Sequence, residues 1–107
     1  AIDLDAMFKE SWVNMAQAYK DFGDYIQAER FFSRALSIDP KYVHGFHLRA
    51  LCRFGAGQHK QALRDLQKAL KMKPDHFHCN QLAGVVSHGL GLFRYAIKYY
   101  QRSLQVK

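Results

Sequence analysis

The stretch "RALSIDP" at residues 34–40 recurs along the chain at a spacing of thirty-four residues. It returns as "KALKMKP" at 68–74 and as "RSLQVK" at 102–107, and the opening "AIDLDA" is similar again, with Ala1 aligned to Ala35. A period of this length is typical of proteins built from stacked copies of one structural unit.

Division of the chain at Lys9 aligns three segments, 9–42, 43–76 and 77–107. Two columns are identical in all three copies and hold Gly23, Gly57, Gly91, Ala28, Ala62 and Ala96. Pro40 and Pro74 close the first two segments. Such a glycine ends one helix, because it adopts the left-handed conformation easily, and the proline ends the next.

Apolar residues recur every three or four positions on both sides of the glycine, which predicts two amphipathic helices in each segment. The first helix is predicted over 10–21, 44–55 and 78–89, and the second over 24–37, 58–71 and 92–105. One hairpin cannot bury both of its faces, so each must stack on another copy. We therefore predict an all-α fold, a right-handed α-solenoid of three tandem hairpins.

The first segment resembles the tetratricopeptide repeat family, whose pattern is W-x2-L-G-x2-Y followed by Gly, Ala, an aromatic residue, Ala and Pro. The matching residues are Trp12, Met15, Ala16, Tyr19, Gly23, Ala28, Phe32, Ala35 and Pro40. The later copies depart from it at Arg49, Arg53 and Asn80. The resemblance implies a non-catalytic scaffold for protein–protein interaction.

The register also predicts how the chain begins and ends. Residues 1–8 are interpreted as the end of a preceding repeat, and no capping helix follows the third copy, so we expect a piece of a longer array. Apolar surfaces are then predicted at both ends, at Met15, Ala18, Phe22, Tyr99, Ser103 and Val106. Two different, complementary ends favour end-to-end self-association, which makes a homo-oligomer, unless the ends are only an artefact of truncation.

In tetratricopeptide arrays the first helices line a concave groove that accepts a protein or peptide partner. Carried across by register, the groove residues are Glu10, Val13, Gln17, Lys20, Asp21, His44, His47, Leu51, Phe54, His78, Gln81, Val85 and His88. Chaperone-binding members hold a terminal carboxylate with Lys, Asn and Arg at set positions, where this chain has Val13, Gln17, Leu48, His78 and Leu82. We therefore predict no carboxylate clamp.

The groove histidines are interpreted as polar surface residues. His44 and His47 lie one turn apart, and His78 adjoins Cys79, but no HExxH or paired CxxC motif accompanies them. We predict no metal site and no cofactor, although histidine titration leaves a pH effect on binding open. The chain also has no nucleophile–base arrangement or phosphate-binding loop of the usual pattern, so we predict that it is not an enzyme.

Sixteen basic and nine acidic side chains give a net charge of +7. A basic stripe is predicted on the convex, second-helix surface at Arg30, Arg34, Arg64, Lys68, Lys98 and Arg102. It is either a solvated helix face or a site for an acidic partner or nucleic acid, and we expect no exposed aromatic residues among its cations to act as stacking platforms. Arg49 is expected to need a carboxylate partner, either Asp39 or Asp65.

The chain also resembles, more narrowly, the repeat region of plant suppressors of effector-triggered immunity. The similar stretches are "MFKESWVNMAQAYKDFGDY", "HGFHLRALCRFG" and "HGLGLFRYAIKYY". This resemblance implies an adaptor of cytoplasm and nucleus that restrains defence signalling, with intracellular immune receptors and their lipase-like signalling adaptor as partners. A generic assembly adaptor of another pathway is the alternative. No apolar run approaches the roughly 18–20 residues of a membrane span, so no membrane partner is expected.

Overall fold

The computed structural model describes residues 3–105. Within this range the chain forms α-helices in the order α1 (Leu4–Phe22), α2 (Tyr25–Ile38), α3 (Val43–Gly55), α4 (His59–Met72), α5 (Phe77–Gly89) and α6 (Phe93–Ser103). Each helix packs against its neighbours in chain order, and α3 also contacts α5. The result is an elongated stack of three hairpins, 47 × 29 × 20 Å, which confirms the predicted fold class.

Glycine makes the turn inside every hairpin. Gly23, Gly57 and Gly91 have φ angles of 100°, 82° and 77°, in the left-handed region that L side chains rarely adopt. The residue after each glycine donates its N–H to the carbonyl five residues earlier, at 2.7–2.9 Å. This is the Schellman arrangement that ends a helix, so the glycine column has the role that the sequence predicted.

Small residues let the two helices of a hairpin approach closely. Ala16, Ala28 and Ala62 are fully buried, as the alanine columns predicted. In the third hairpin the ring of Tyr100 lies so close to Gly84 that an added Cβ would come within 2.6 Å of it. The chain therefore needs glycine at this point of α5.

The core consists of two apolar clusters along the stack. The first contains Phe32 and Leu48 and joins the first hairpin to the second. The second contains Leu66 and Val86 and joins the second hairpin to the third. Phe32, Leu66 and Val86 are fully buried, so each hairpin hides its apolar side against the next one.

A buried ionic network connects the first two hairpins. The guanidinium of Arg49 donates to both carboxylate oxygens of Asp65, at 3.0 and 2.6 Å, and to the Ser33 hydroxyl at 3.1 Å. Arg53 donates to Asp65 at 2.9 Å and to Glu29 at 3.1 and 3.2 Å. Asp65 is only 1% exposed, so both arginines compensate a charge that would otherwise be costly to bury.

This network explains two departures from the family pattern. Arg49 takes Asp65 as its carboxylate partner, whereas Asp39, the other predicted partner, forms an ion pair with Lys9 at 3.2 Å. The two arginines thus replace apolar packing with ion pairs to Asp65 inside the second hairpin and with hydrogen bonds to Ser33 and Glu29 of the first.

The start of α1 differs from the prediction. Residues 4–8, interpreted as the end of a preceding repeat, form the first turns of α1 and continue without a break to Phe22. The Asp3 carboxylate accepts a hydrogen bond from the Ala6 N–H at 3.2 Å, which caps the helix, and no glycine or proline interrupts residues 4–22. The other helix ends lie within two residues of their predicted positions.

Candidate functional site

A cluster of four histidines lies on α3 and at the start of α5. The ring centroid of His47 is 6.0 Å from that of His44, 5.6 Å from His78 and 6.2 Å from His76. The rings of His76 and His78 are 6.1 Å apart. The structure thus brings together three predicted groove histidines and adds His76, which the register did not assign to the groove.

His47 is the central member of this histidine cluster. Burial, together with charge repulsion from His44, His78, His76 and Lys20, lowers its pKa from 6.5 to about 4. The ring is therefore neutral near pH 7. Its Nδ1 atom is buried without a hydrogen-bond partner within the part of the chain that the structure describes. An unpaired buried nitrogen is costly to the fold. Because this atom is out of reach of solvent, a ligand at this surface would contact the exposed part of the half-buried ring instead.

His76 is placed by the cap of α5. Its Nδ1 accepts a hydrogen bond from the Cys79 N–H at 3.1 Å, which fixes the ring beside the cluster. Burial lowers the pKa of His76, nearby cations and histidines (Lys73, His78 and His44) act in the same direction, and Asp75 opposes them. The sequence signal for this residue was its position immediately before the first helical residue of α5. Within residues 3–105, no three His, Cys, Asp or Glu side chains converge to hold a metal ion.

Aromatic and aliphatic side chains accompany the histidines. Phe54 packs edge-to-face against His59 of α4 at 4.8 Å, a neighbour that sequence reasoning missed. Leu51 is half-buried and touches both apolar clusters. Farther along, His88 packs against Phe93 of α6 at 5.6 Å. The surface thus combines imidazole hydrogen-bonding groups with apolar contact area.

The other predicted groove residues differ in accessibility. Exposed positions are Glu10, Asp21, His44, His78, Gln81, Val85 and His88, and half-buried positions are Gln17, Lys20, His47, Leu51 and Phe54. Lys20 lies 3.5 Å from the Asp21 carboxylate. The inclusion of Val13 was wrong, because it is only 8% exposed and belongs to the cluster between the first two hairpins.

The positions of the chaperone carboxylate clamp are largely inaccessible. Val13, Leu48 and Leu82 are 8%, 6% and 8% exposed, and all three belong to the apolar clusters. Side chains packed in this way have neither the charge nor the access to bind a terminal carboxylate. The absence of such a clamp stays a prediction, now with burial as a second reason.

All six residues of the predicted basic stripe are exposed, namely Arg30, Arg34, Arg64, Lys68, Lys98 and Arg102. Two aromatic rings accompany these cations, but neither is exposed. The Arg34 guanidinium lies 4.8 Å above the ring of Trp12, and that of Arg102 lies 6.0 Å from the ring of Tyr99. Each aromatic ring is half-buried and is already covered by its arginine.

The predicted apolar ends are correct only at the first hairpin. Met15 is 42% exposed, Phe22 is 86% exposed and Ala18 is exposed between them. At the other end the prediction for Ser103 was wrong, because this residue is only 7% exposed and faces its own hairpin. Its hydroxyl donates to the Tyr100 carbonyl at 2.7 Å. Tyr99 is half-buried against the core.

Other residues of α6 and its end form the exposed apolar surface there: Phe93, Ile97 and Leu104 are 59%, 56% and 82% exposed. Val106 lies outside the described residues.

Stacked helix hairpins with glycine turns and alanine contacts define an α-helical repeat protein. Family models described as tetratricopeptide repeats match residues 10–42 and 43–76. The chain therefore belongs to the tetratricopeptide repeat family. Proteins of this family act as protein-interaction scaffolds, and their repeat domains are generally non-catalytic modules. No curated protein sequence matches the chain.

Solved structures share this fold at low sequence identity. The Sgt2 repeat domain from Aspergillus fumigatus is 21% identical, with a TM-score of 0.88, over 91% of this chain and 64% of that domain. MamA is 23% identical, with a TM-score of 0.86, over 91% of this chain and 57% of its own. The second repeat domain of human RPAP3, in complex with the HSP70 peptide SGPTIEEVD, is 17% identical, with a TM-score of 0.88. The match covers 94% of this chain and 83% of that domain.

The chain thus spans less than two thirds of Sgt2 and MamA. Within residues 3–105, none of the helices is both long and apolar enough to cross a bilayer.

Proposed function

We propose that this chain is a scaffold that binds an extended peptide segment of a partner protein along the concave surface of α1, α3 and α5. The observation that carries the proposal is the histidine cluster, in which exposed His44 and His78 lie beside half-buried His47. Imidazole nitrogens of the two exposed rings would pair with the backbone of a bound peptide. Half-buried Leu51 and Phe54 would contact its apolar side chains.

The same surface argues against a ligand chosen by its charge. Its one half-buried lysine, Lys20, is beside Asp21, and His47 is neutral at pH 7. The relative in complex with an HSP70 peptide binds a segment that ends in EEVD. Because Val13, Leu48 and Leu82 are buried here, we expect this chain to select apolar segments with hydrogen-bonding groups rather than acidic tails.

A peptide-display selection followed by calorimetry tests this proposal. Peptides selected on the wild-type chain should bind at least about tenfold more weakly to the groove variant His47→Ala/Phe54→Ala. They should bind with nearly unchanged affinity to Arg64→Glu/Lys68→Glu on the convex face, and SGPTIEEVD should not displace them from the groove. Equal affinity of the wild type and the groove variant for every selected peptide would overturn the proposal.

End-to-end association is a second candidate function, favoured by the exposed stripe of α1. Leu4, Phe8, Met15 and Phe22 are 42–86% exposed and recur at helical spacing along one side of the helix. α1 carries three acidic and two basic side chains, whereas α6 carries three basic and no acidic ones. The two end helices therefore differ in the sign of their net charge and are both partly apolar. Contact between α6 of one copy and α1 of the next would use both properties.

Sedimentation of two variants tests this contact. Phe22→Asp disables the α1 end and Ile97→Asp disables the α6 end, so each variant alone should be monomeric. An equimolar mixture should form a heterodimer, because each variant keeps one intact end. If Ile97→Asp alone still dimerises, the contact joins two identical α1 faces and the end-to-end arrangement is wrong.

The pathway rests on the resemblance to plant suppressors of effector-triggered immunity. In that setting the scaffold would restrain defence signalling in cytoplasm and nucleus, by holding intracellular immune receptors and their lipase-like signalling adaptor. Co-precipitation of the wild-type chain and the groove variant with an intracellular immune receptor from plant cells tests this assignment. A receptor that fails to associate with the wild-type chain would favour a generic assembly adaptor, while leaving peptide binding itself unaffected.

A further inference from the structure

An open cleft of about 790 Å³ lies around α4. Residues of α3, α4 and α6 line it: Arg49, Arg53, Gln61, Arg64, Asp65, Gln67, Lys68, Leu70, Lys71, Tyr99 and Arg102. The cleft shares no residue with the peptide groove proposed above. Its function is therefore a separate question.

The charges at the cleft do not balance. The two arginines at its base, Arg49 and Arg53, are compensated by Asp65 and Glu29 through five hydrogen bonds. The remaining cations lie at the exposed wall: Arg64, Lys68, Lys71 and Arg102. Among residues 3–105, none of these four side chains is in an ion pair.

Four uncompensated cations in a concave site repel one another and attract an anion, since the walls focus the positive potential. The spacing on α4 indicates the form of that anion. Arg64 and Lys68 are four residues apart, which is about 6 Å along a helix. Alternate residues of an extended peptide are about 6.6 Å apart and point the same way. Acidic side chains at every second position would therefore meet successive cations.

The rest of the lining favours a peptide over a nucleic acid. Gln61 and Gln67 offer amide groups that can pair with a peptide backbone, and Leu70 adds apolar surface. A single-stranded nucleic acid would need open aromatic rings for base stacking. Tyr99 is the aromatic residue of the lining, and it is half-buried with the Arg102 guanidinium 6.0 Å from its ring.

We infer that the cleft around α4 binds an extended acidic segment of a protein partner, with Asp or Glu at alternate positions. The chain then has two binding surfaces of different chemistry, a concave groove with imidazole and apolar groups and this cationic cleft. A scaffold of this kind can hold two partners at once, because the two surfaces share no residue.

Fluorescence polarisation with a labelled, alternating Glu-Ser peptide at low salt tests the inference. A Gln-Ser peptide of the same length and a single-stranded oligothymidine are the comparison probes. The cleft variant Arg64→Gln/Lys68→Gln should raise the Kd for the Glu-Ser peptide at least about tenfold. The matched control Arg94→Gln/Lys98→Gln removes the same net charge from exposed positions of α6 outside the cleft, and should raise it less than ~threefold.

Three outcomes would overturn the inference. The Glu-Ser peptide could bind no better than the Gln-Ser peptide. The control variant could weaken binding as much as the cleft variant, which would show that only net charge matters. The oligothymidine could bind more tightly than the peptide and depend on Arg64 and Lys68, which would assign the cleft to nucleic acid. A circular-dichroism spectrum equal to that of the wild type establishes that each variant is folded.

Discussion

Replacement of Asp65 by alanine would leave Arg49 and Arg53 close together without the carboxylate that binds both. This carboxylate is 1% exposed and accepts three hydrogen bonds, at 2.6, 2.9 and 3.0 Å. Removal of one partner from a buried ion pair typically costs about 3–5 kcal/mol. Arg53 keeps its ion pair with Glu29, and the side chains of Arg49 and Arg53 are 13% and 18% exposed. We therefore expect the free energy of unfolding to fall by about 3 kcal/mol, the lower end of this range.

Urea unfolding followed by circular dichroism measures this loss, and the midpoint of thermal unfolding should fall by roughly 12–24 °C. Asp21→Ala is the matched control, because it removes an exposed ion pair of 3.5 Å that is worth about 0–1 kcal/mol. Asp65→Asn keeps the shape and part of the hydrogen bonding, so its loss of stability should lie between those of Asp65→Ala and Asp21→Ala. If Asp65→Ala cost no more than Asp21→Ala, the arginines would be able to reach water, and the reasoning from burial would fail.

Three further predictions concern packing, protons and thiols. Gly84→Ala should destabilise the fold by about 1–3 kcal/mol in urea unfolding, because its Cβ would meet the Tyr100 ring, and Tyr100→Leu in the same chain should recover part of the loss. The folded-state pKa of His47 is about 4 against 6.5 when unfolded, so the unfolded chain binds the extra proton and the thermal midpoint should fall as pH drops from 6.5 towards 4. This fall should be smaller in His47→Gln, and an equal fall would exclude His47 as its source. Burial raises the thiol pKa of Cys52 and Cys79 to about 11, so a thiol reagent should label both slowly until urea unfolds the chain; rapid labelling of the native protein would contradict their burial.

The hairpins could be predicted because each one depends on local signals. The glycine column works through backbone conformation, and the alanine columns work through side-chain size, so neither needs knowledge of the neighbouring hairpin. The prediction for the start of α1 was wrong because no local signal supports it. Similarity to the end of a second helix suggested a boundary near residue 8, but no glycine, proline or new cap is present there to make one.

The candidate site was less predictable, because it depends on contacts between hairpins. His44 and His47 share a helix face by spacing alone, whereas His76 joins them only through the cap of α5. Val13 lies at a groove position in the family register, but the second hairpin packs closely enough to bury it. Ser103 was misplaced because its position faces its own hairpin rather than the end of the stack.

The two joints between hairpins are chemically different, and this has a consequence for how the array bends. The first joint combines an apolar cluster with the Arg53–Glu29 ion pair, whereas in the described residues no ion pair crosses the second, which relies on the cluster around Leu66 and Val86. Apolar contacts are non-directional, whereas charge-assisted hydrogen bonds fix the geometry of the groups that they join. The second joint should therefore allow a larger change of angle between its hairpins than the first, so that the scaffold bends mainly near one end.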